Sequence, residues 1–123
     1  MSTPTQLGFV SLQVSDLEAS RQFYTEVLGF QPTPASPSDA CLFVTQSGAL
    51  FALRKPLVDL QAVSRLGWGV SLWFGVPELA AFLKRLEGQA ILIRGLQATP
   101  FGNTAVIADP DGYWLTLQET PAP

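Results

Sequence analysis

The feature that most constrains the fold is an internal repeat. The segment VSDLEAS begins at Val14, and VPELAAF begins at Val76, a shift of 62 residues. Later in each half, Gly48 is followed by ALFALRK and Gly112 by YWLTLQE, a shift of 64 residues. A repeat this short cannot bury a core alone, so the two copies must pair. The sequence therefore predicts one domain built from two similar modules.

Alternating apolar and polar residues predict the first strand of each half. The strand in residues 7–14 places Phe9, Ser11 and Gln13 on one face and apolar side chains on the other. The strand in residues 70–76 places Ser71, Trp73 and Gly75 opposite an apolar face in the same way. Further strands are predicted at residues 41–45, 90–93 and 104–108, and after Gly48 and Gly112. The repeat then predicts a strand, a helix and three more strands in each half.

Helix boundaries follow from capping signals. Ser15 with Glu18 three residues later has the pattern of a capping box, and Gly29 predicts the end of that helix. Pro77 is predicted as the first helical residue of the second half, whose helix ends at Gly88. Residues 30–39 hold three of the ten prolines and are predicted to form a loop. Residues 55–68 join the halves and have the spacing of a short helix.

Composition excludes several classes of function. With 123 residues, 47% hydrophobic and 14% charged, the chain is expected to form one folded domain. A net charge of −3 argues against nucleic-acid binding, and no apolar run approaches the ~20 residues needed to cross a membrane. The single Cys41 excludes an internal disulfide and fits a reducing compartment, so we expect a cytoplasmic location.

Two motifs resemble a known family. FVSLQVSDLEASRQFYTEVLGF (residues 9–30) and GNTAVIADPDGYWLTLQE (residues 102–119) are similar to the opening and closing segments of the vicinal oxygen chelate superfamily. This family includes glyoxalases, extradiol dioxygenases and bleomycin resistance proteins. The resemblance implies an α+β fold of two paired βαβββ modules whose curved mixed sheets surround a central cavity. Module one would span about residues 7–55, a linker about 56–68, and module two about 69–119.

The resemblance also implies four positions that hold a divalent metal in the family's enzymes. Matched to this chain, they are Phe9, Ala52, Ser71 and Thr116, none of which is a usual metal ligand. The chain has no His, so neither a His-based metal site nor a Ser-His-Asp or Cys-His arrangement can form. Asp109 and Asp111 belong to a DPDG turn, and other acids lie at helix starts. We therefore expect no metal, no cofactor and no conventional catalytic residues.

The inward strand faces instead predict a pocket for an apolar or amphipathic small molecule, stacked on aromatic rings and oriented by hydroxyl and amide groups. The predicted ligand-binding residues are Phe9, Ser11, Gln13, Ser71, Trp73, Trp114, Thr116 and Gln118. Arg54 and Arg94 are possible rim residues, and a cationic ligand would gain from cation–π contact. This pattern resembles the metal-free antibiotic-binding members of the family, which usually bind as homodimers, so a homodimer is expected. Two alternatives stay open: an enzyme of the glyoxalase or dioxygenase type with an unusual site, and a non-catalytic dimeric protein whose cavity is filled.

Overall fold

The computed structural model describes residues 4–34 and 36–121, and the chain divides into two compact units at Leu60 and Gln61. This boundary lies within the linker predicted at residues 56–68. Each unit has its own small mixed β-sheet and one α-helix. The α+β fold class predicted from the repeat and the resemblance is therefore confirmed.

The first unit contains a three-stranded sheet in the order β1-β3-β2. Its strands are β1 (Val10–Gln13), β2 (Ala40–Val44) and β3 (Leu50–Arg54), with β1 parallel and β2 antiparallel to β3. Helix α1 (Leu17–Gln22) follows β1 and continues as a π-helical turn, Phe23–Val27, before the chain turns at Gly29 with a positive φ of 87°. The predicted stop at Gly29 is therefore correct.

Aromatic side chains form the core of the first unit. Phe43 and Tyr24 are fully buried, and the Phe43 and Phe51 rings stack with centroids 4.8 Å apart. Tyr24 contacts both of these rings, and Phe30 packs edge-on against Phe51 at 4.9 Å. The apolar face of the alternating strands and the aromatic residues of the helix thus meet in one cluster.

Two local predictions for the first unit need correction. The resemblance implies four strands, but among the described residues of 30–39 only a single bridge forms, between Pro32 and Phe43. Prolines in this segment lack the N–H that a longer ladder requires. The helix cap is also wrong by one residue, because Asp16, not Ser15, accepts the bond from the Ala19 N–H at 3.0 Å. Glu18 pairs with Arg21 instead of closing a capping box.

The second unit contains a four-stranded sheet in the order β4-β7-β6-β5. Its strands are β4 (Leu72–Pro77), β5 (Ile91–Thr99), β6 (Gly102–Ala108) and β7 (Trp114–Thr120). β4 runs parallel to β7, whereas β6 runs antiparallel to both β5 and β7. Helix α2 (Leu79–Leu86) packs against β4 and β7 and buries Leu79, Phe82 and Leu86. The opposite face of the sheet is left for the site described below.

Helix α2 begins differently from the sequence prediction. Pro77 ends β4 and is not helical, and Glu78, with a positive φ of 49°, precedes the first helical residue. The Glu78 side chain makes no capping bond; Glu119 Oε2 accepts the Leu79 N–H at 2.9 Å and its Oε1 accepts from Asn103 at 2.9 Å. These two hydrogen bonds lower the pKa of Glu119. The cap of α2 thus comes from β7, 40 residues along the chain.

Between the predicted modules, the linker holds one short 3₁₀ turn, Leu60–Ala62. The spacing of apolar residues predicts a short helix there, and the helical structure is limited to this one turn. In the described part of the chain, neither α-helix has the length and apolar character needed to span a bilayer.

Candidate ligand-binding site

An open pocket of about 580 Å³ lies on the sheet face of the second unit that is opposite α2. All four strands of the unit and the loop before β4 contribute to its walls. The residues that line it are Arg65, Gly67, Trp68, Gly69, Val70, Ser71, Trp73, Arg94, Val106, Trp114 and Thr116.

Strand register explains why side chains distant in sequence meet here. Trp73 pairs with Thr116, Thr116 with Val106, and Val106 with Arg94. Paired residues point to the same face of a sheet, so these four form one row across β4, β7, β6 and β5. Trp114 lies two residues before Thr116 and therefore shares this face. The row supplies the floor of the pocket.

All three tryptophans of the chain line this one pocket. Trp73 and Trp114 remain 47% and 43% exposed, and Trp68 is 75% exposed. Large apolar rings left half open to water are available for stacking with a planar molecule. Trp73 also contacts Phe101 edge-on, with ring centroids 6.0 Å apart.

The loop before β4 brings Arg65 over the aromatic wall. Its guanidinium carbon lies 3.4 Å from the centroid of the Trp114 ring and 4.7 Å from that of Trp68. Gly67 and Gly69 flank Trp68 with positive φ angles of 75° and 88°, which other residue types rarely adopt. A Cβ at Gly67 would also lie 3.1 Å from the Tyr113 ring. The two glycines therefore let the loop approach β7 closely enough for this stacking.

Polar groups in the pocket are few and neutral apart from the arginines. Ser71 Oγ lies 3.5 Å from Thr116 Oγ1, so either hydroxyl can turn towards a ligand. Arg94 Nη2 donates to Thr104 Oγ1 at 3.3 Å, which ties the guanidinium to β6. The pocket thus combines apolar surfaces with a small number of fixed polar groups, which is the usual composition of a small-molecule site.

Four of the eight predicted ligand-binding residues lie together in this pocket: Ser71, Trp73, Trp114 and Thr116. Gln118 is on the same strand but is not among the residues that line the pocket, and its amide donates to the Phe101 carbonyl at 2.7 Å. Three predicted residues lie in the first unit. There Phe9 and Ser11 are exposed, and the Gln13 side chain accepts from the Leu57 and Val58 N–H groups at 2.6 and 3.2 Å. A ligand-binding role for Phe9, Ser11, Gln13 and Gln118 stays a prediction.

Sequence reasoning missed Arg65 and left Trp68 without an assigned face. Both residues lie in an irregular loop, where no strand or helix periodicity indicates where a side chain points. The Gly-Trp-Gly spacing was the one available signal for a tight loop that displays Trp68. Of the two proposed rim residues, Arg94 lines the pocket, whereas Arg54 lies in the first unit, 3.9 Å from Asp39.

The residues at the family's metal positions do not fit a divalent metal. Ala52 and Phe9 offer no donor atom, and Ser71 and Thr116 offer neutral hydroxyls, which are poor ligands for first-row metals. No group of three His, Cys, Asp or Glu side chains among the described residues could hold a metal ion. Asp109 is buried and accepts the Asp111 and Tyr113 N–H groups at 3.0 and 2.9 Å, so it serves the turn. Burial raises the pKa of the Cys41 thiol, which disfavours the reactive thiolate.

Comparison with known proteins gives concordant matches. Residues 6–117 match the model of the glyoxalase/bleomycin resistance protein/dioxygenase superfamily. The phenazine antibiotic resistance protein EhpR from Enterobacter agglomerans is 28% identical over 109 residues, covering 85% of this chain and 84% of EhpR.

Solved structures give the same fold. A glyoxalase-related enzyme from Fulvimarina pelagi has a TM-score of 0.73 and 26% identity, covering 96% of this chain and 90% of that one. The antibiotic binding protein TnmS3 from Streptomyces sp. CB03234 has a TM-score of 0.77 and 22% identity, covering 98% of this chain and 100% of TnmS3. At 22% identity, the match to TnmS3 shows the fold alone.

Proposed function

The chain belongs to the glyoxalase/bleomycin resistance protein/dioxygenase superfamily, and we propose that it is a metal-independent binding protein for a planar, hydrophobic or aromatic small molecule such as an antibiotic. The observation that carries this proposal is the placement of all three tryptophans around one pocket. The pocket volume of about 580 Å³ falls within the range of about 300–1,000 Å³ that is usual for small-molecule sites.

Binding would depend on stacking and a few hydrogen bonds. The half-exposed rings of Trp73 and Trp114 provide apolar faces, and Ser71 and Thr116 provide hydroxyls that orient a polar substituent. Such a protein lowers the free concentration of its ligand by mass action and needs no bond-making step. The similarity to a phenazine antibiotic resistance protein supports this role. A cytoplasmic location, expected from the single Cys41, is part of the proposal and is checked by cell fractionation.

Intrinsic fluorescence provides a direct test, because every tryptophan of the chain lies at the pocket. Titration with unsubstituted phenazine, a planar aromatic probe, is expected to quench the tryptophan emission. The quenching should reach saturation at one ligand per chain. Isothermal titration calorimetry on the same pair separates binding from simple absorption of light by the probe. Decahydronaphthalene, which is apolar but not flat, serves as the ligand control and should bind more weakly. A calorimetric titration with phenazine that shows no saturable heat would contradict the proposal.

An enzyme of the glyoxalase type is the second candidate. The observation in its favour is the 26% identity to a glyoxalase-related enzyme over nearly the whole chain. It ranks below the binding function because none of the four matched metal positions carries a usual ligand. Elemental analysis after purification from metal-containing medium separates the two. One equivalent of a divalent metal per chain would reverse the ranking.

We also propose that a second copy of the chain covers β5. Eight of the nine residues of this edge strand are exposed, including the large apolar side chains Ile91, Leu92 and Leu96. An uncovered apolar edge strand promotes pairing with another chain, and proteins usually cover or charge such an edge. The strand carries one charged side chain, Arg94, so little opposes self-association.

We expect sedimentation equilibrium to give the mass of a dimer at micromolar concentration. Leu92→Asp would place a carboxylate in the covered strand and should shift the mass towards that of a monomer, because an unpaired buried charge is costly. Val63→Asp, at an equally exposed linker position outside β5, is the matched control and should leave the dimer intact. A monomeric wild-type chain at these concentrations would refute the dimer.

A further inference from the structure

The charge of the pocket is opposite to that of the chain. The chain has seven Lys and Arg against ten Asp and Glu, for a net charge of −3. Among the described residues that line the pocket, by contrast, there are two guanidinium groups, Arg65 and Arg94, and no carboxylate. A concave site of one sign concentrates ligands of the opposite sign.

Arg65 is held by stacking and not by an ion pair. Its guanidinium lies on the Trp114 ring at 3.4 Å and near the Trp68 ring at 4.7 Å. Stacking uses the flat face of a guanidinium and leaves the N–H groups at its rim free to donate. Within residues 4–34 and 36–121, Arg65 makes no hydrogen bond and no ion pair. Because Arg65 already brings a positive charge to the aromatic wall, a cationic ligand would be repelled from it.

Arg94, at the β5 end of the row of four paired residues, also has N–H donors without a hydrogen-bond partner among the described residues. Its guanidinium makes one hydrogen bond, to Thr104 Oγ1, in the described part of the chain, and a guanidinium has five N–H donors. Thr104 is fully buried, so this bond anchors Arg94 beside Val106 in the floor. Two of the three arginines outside the pocket are paired with an acid: Arg21 with Glu18, and Arg54 with Asp39 at 3.9 Å. The third, Arg85, lies over the Phe82 ring. The two pocket arginines, however, have no acidic partner among the described residues.

We infer that the pocket selects planar aromatic ligands that carry an acidic group, and that the ligand's carboxylate binds at Arg94 while Arg65 adds positive charge to the same pocket. The inference rests on the proposed binding function and adds a charge requirement to it. The ring system would stack on the tryptophans, while the planar fork of a guanidinium matches the two carboxylate oxygens. Ser71 and Thr116 then remain for a neutral polar substituent.

A pair of isosteric probes tests the charge requirement. Phenazine-1-carboxylate and phenazine-1-carboxamide share one ring system and differ in the charge of the substituent at neutral pH. Calorimetric titration is expected to give about tenfold tighter binding of the carboxylate, a difference of about 1.4 kcal/mol, because hydrogen bonds to a charged acceptor are stronger than those to a neutral one. High salt should reduce this preference, because screening weakens partly exposed charge pairs.

Two variants assign the preference to residues. Arg94→Gln should reduce the carboxylate-to-carboxamide preference from about tenfold to about twofold or less, measured as the ratio of the two dissociation constants for the same variant. Arg65→Gln should also reduce the preference. Arg85→Gln removes a cation of the same unit that lies outside the pocket, near Phe82, and should leave the preference unchanged.

The outcomes separate this inference from the proposed function. If both probes bind equally well, or if Arg94→Gln keeps the full preference, the charge requirement is wrong and the binding function stands. If neither probe nor unsubstituted phenazine binds, both are wrong. Circular dichroism confirms that each variant is folded before its affinity is compared.

Discussion

Replacing Trp114 by alanine should weaken binding of a planar aromatic probe by about tenfold to a hundredfold, because removal of one stacking partner costs about 1–3 kcal/mol. The substitution takes away a wall of the pocket and also the ring on which the Arg65 guanidinium lies at 3.4 Å. Trp114→Phe keeps a smaller aromatic face and should retain most of the affinity. Calorimetry with unsubstituted phenazine measures both variants.

Val63→Ala is the control for this experiment, since Val63 is exposed but does not line the pocket. It should bind the probe as the wild type does. Trp68→Ala is a useful comparison, because Trp68 lines the same pocket from the loop before β4 and is 75% exposed. Unchanged affinity in Trp114→Ala, with the fold intact, would show that the ligand does not contact this wall.

Phe43→Ala should lower the free energy of unfolding of the first unit by about 3–5 kcal/mol. Phe43 is fully buried and its ring stacks on Phe51 at 4.8 Å, so truncation removes apolar burial and leaves a cavity that its aromatic neighbours cannot fill. A loss of this size is a large part of the stability of a small domain. Urea unfolding followed by far-UV circular dichroism measures it.

Phe101→Ala makes the same chemical change at a ring that is 70% exposed. It should change stability by no more than about 0.5 kcal/mol, as is usual for surface positions. Phe43→Leu, which keeps most of the volume, should cost less than Phe43→Ala. Equal losses in Phe43→Ala and Phe101→Ala would mean that the aromatic cluster is not the core of this unit.

The repeat and the strand alternation were sufficient to predict the modules, because the period of apolar residues is a property of the local sequence. The same alternation placed Trp73 on the pocket face, and the spacing after Gly112 placed Trp114 and Thr116. Capping was less predictable. Asp16 and Ser15 are both good N-cap residues, and only the backbone path decides which side chain reaches the Ala19 N–H. The cap of α2 by Glu119 depends on strand pairing that no local pattern contains.

The sequence by itself determined the fold class, the family and the lack of metal-ligating side chains at the four positions matched to the family's metal site. These depend on residue identity, on spacing and on a chain that has no His. Tertiary structure alone decided that Arg65 lies on Trp114 and that Arg94 joins the same pocket. Those contacts join residues 49 positions apart, or on different strands of one sheet, and depend on register and on a loop bent at Gly67 and Gly69. The charge of the site is therefore a property of the folded chain, because the net charge of the sequence has the opposite sign.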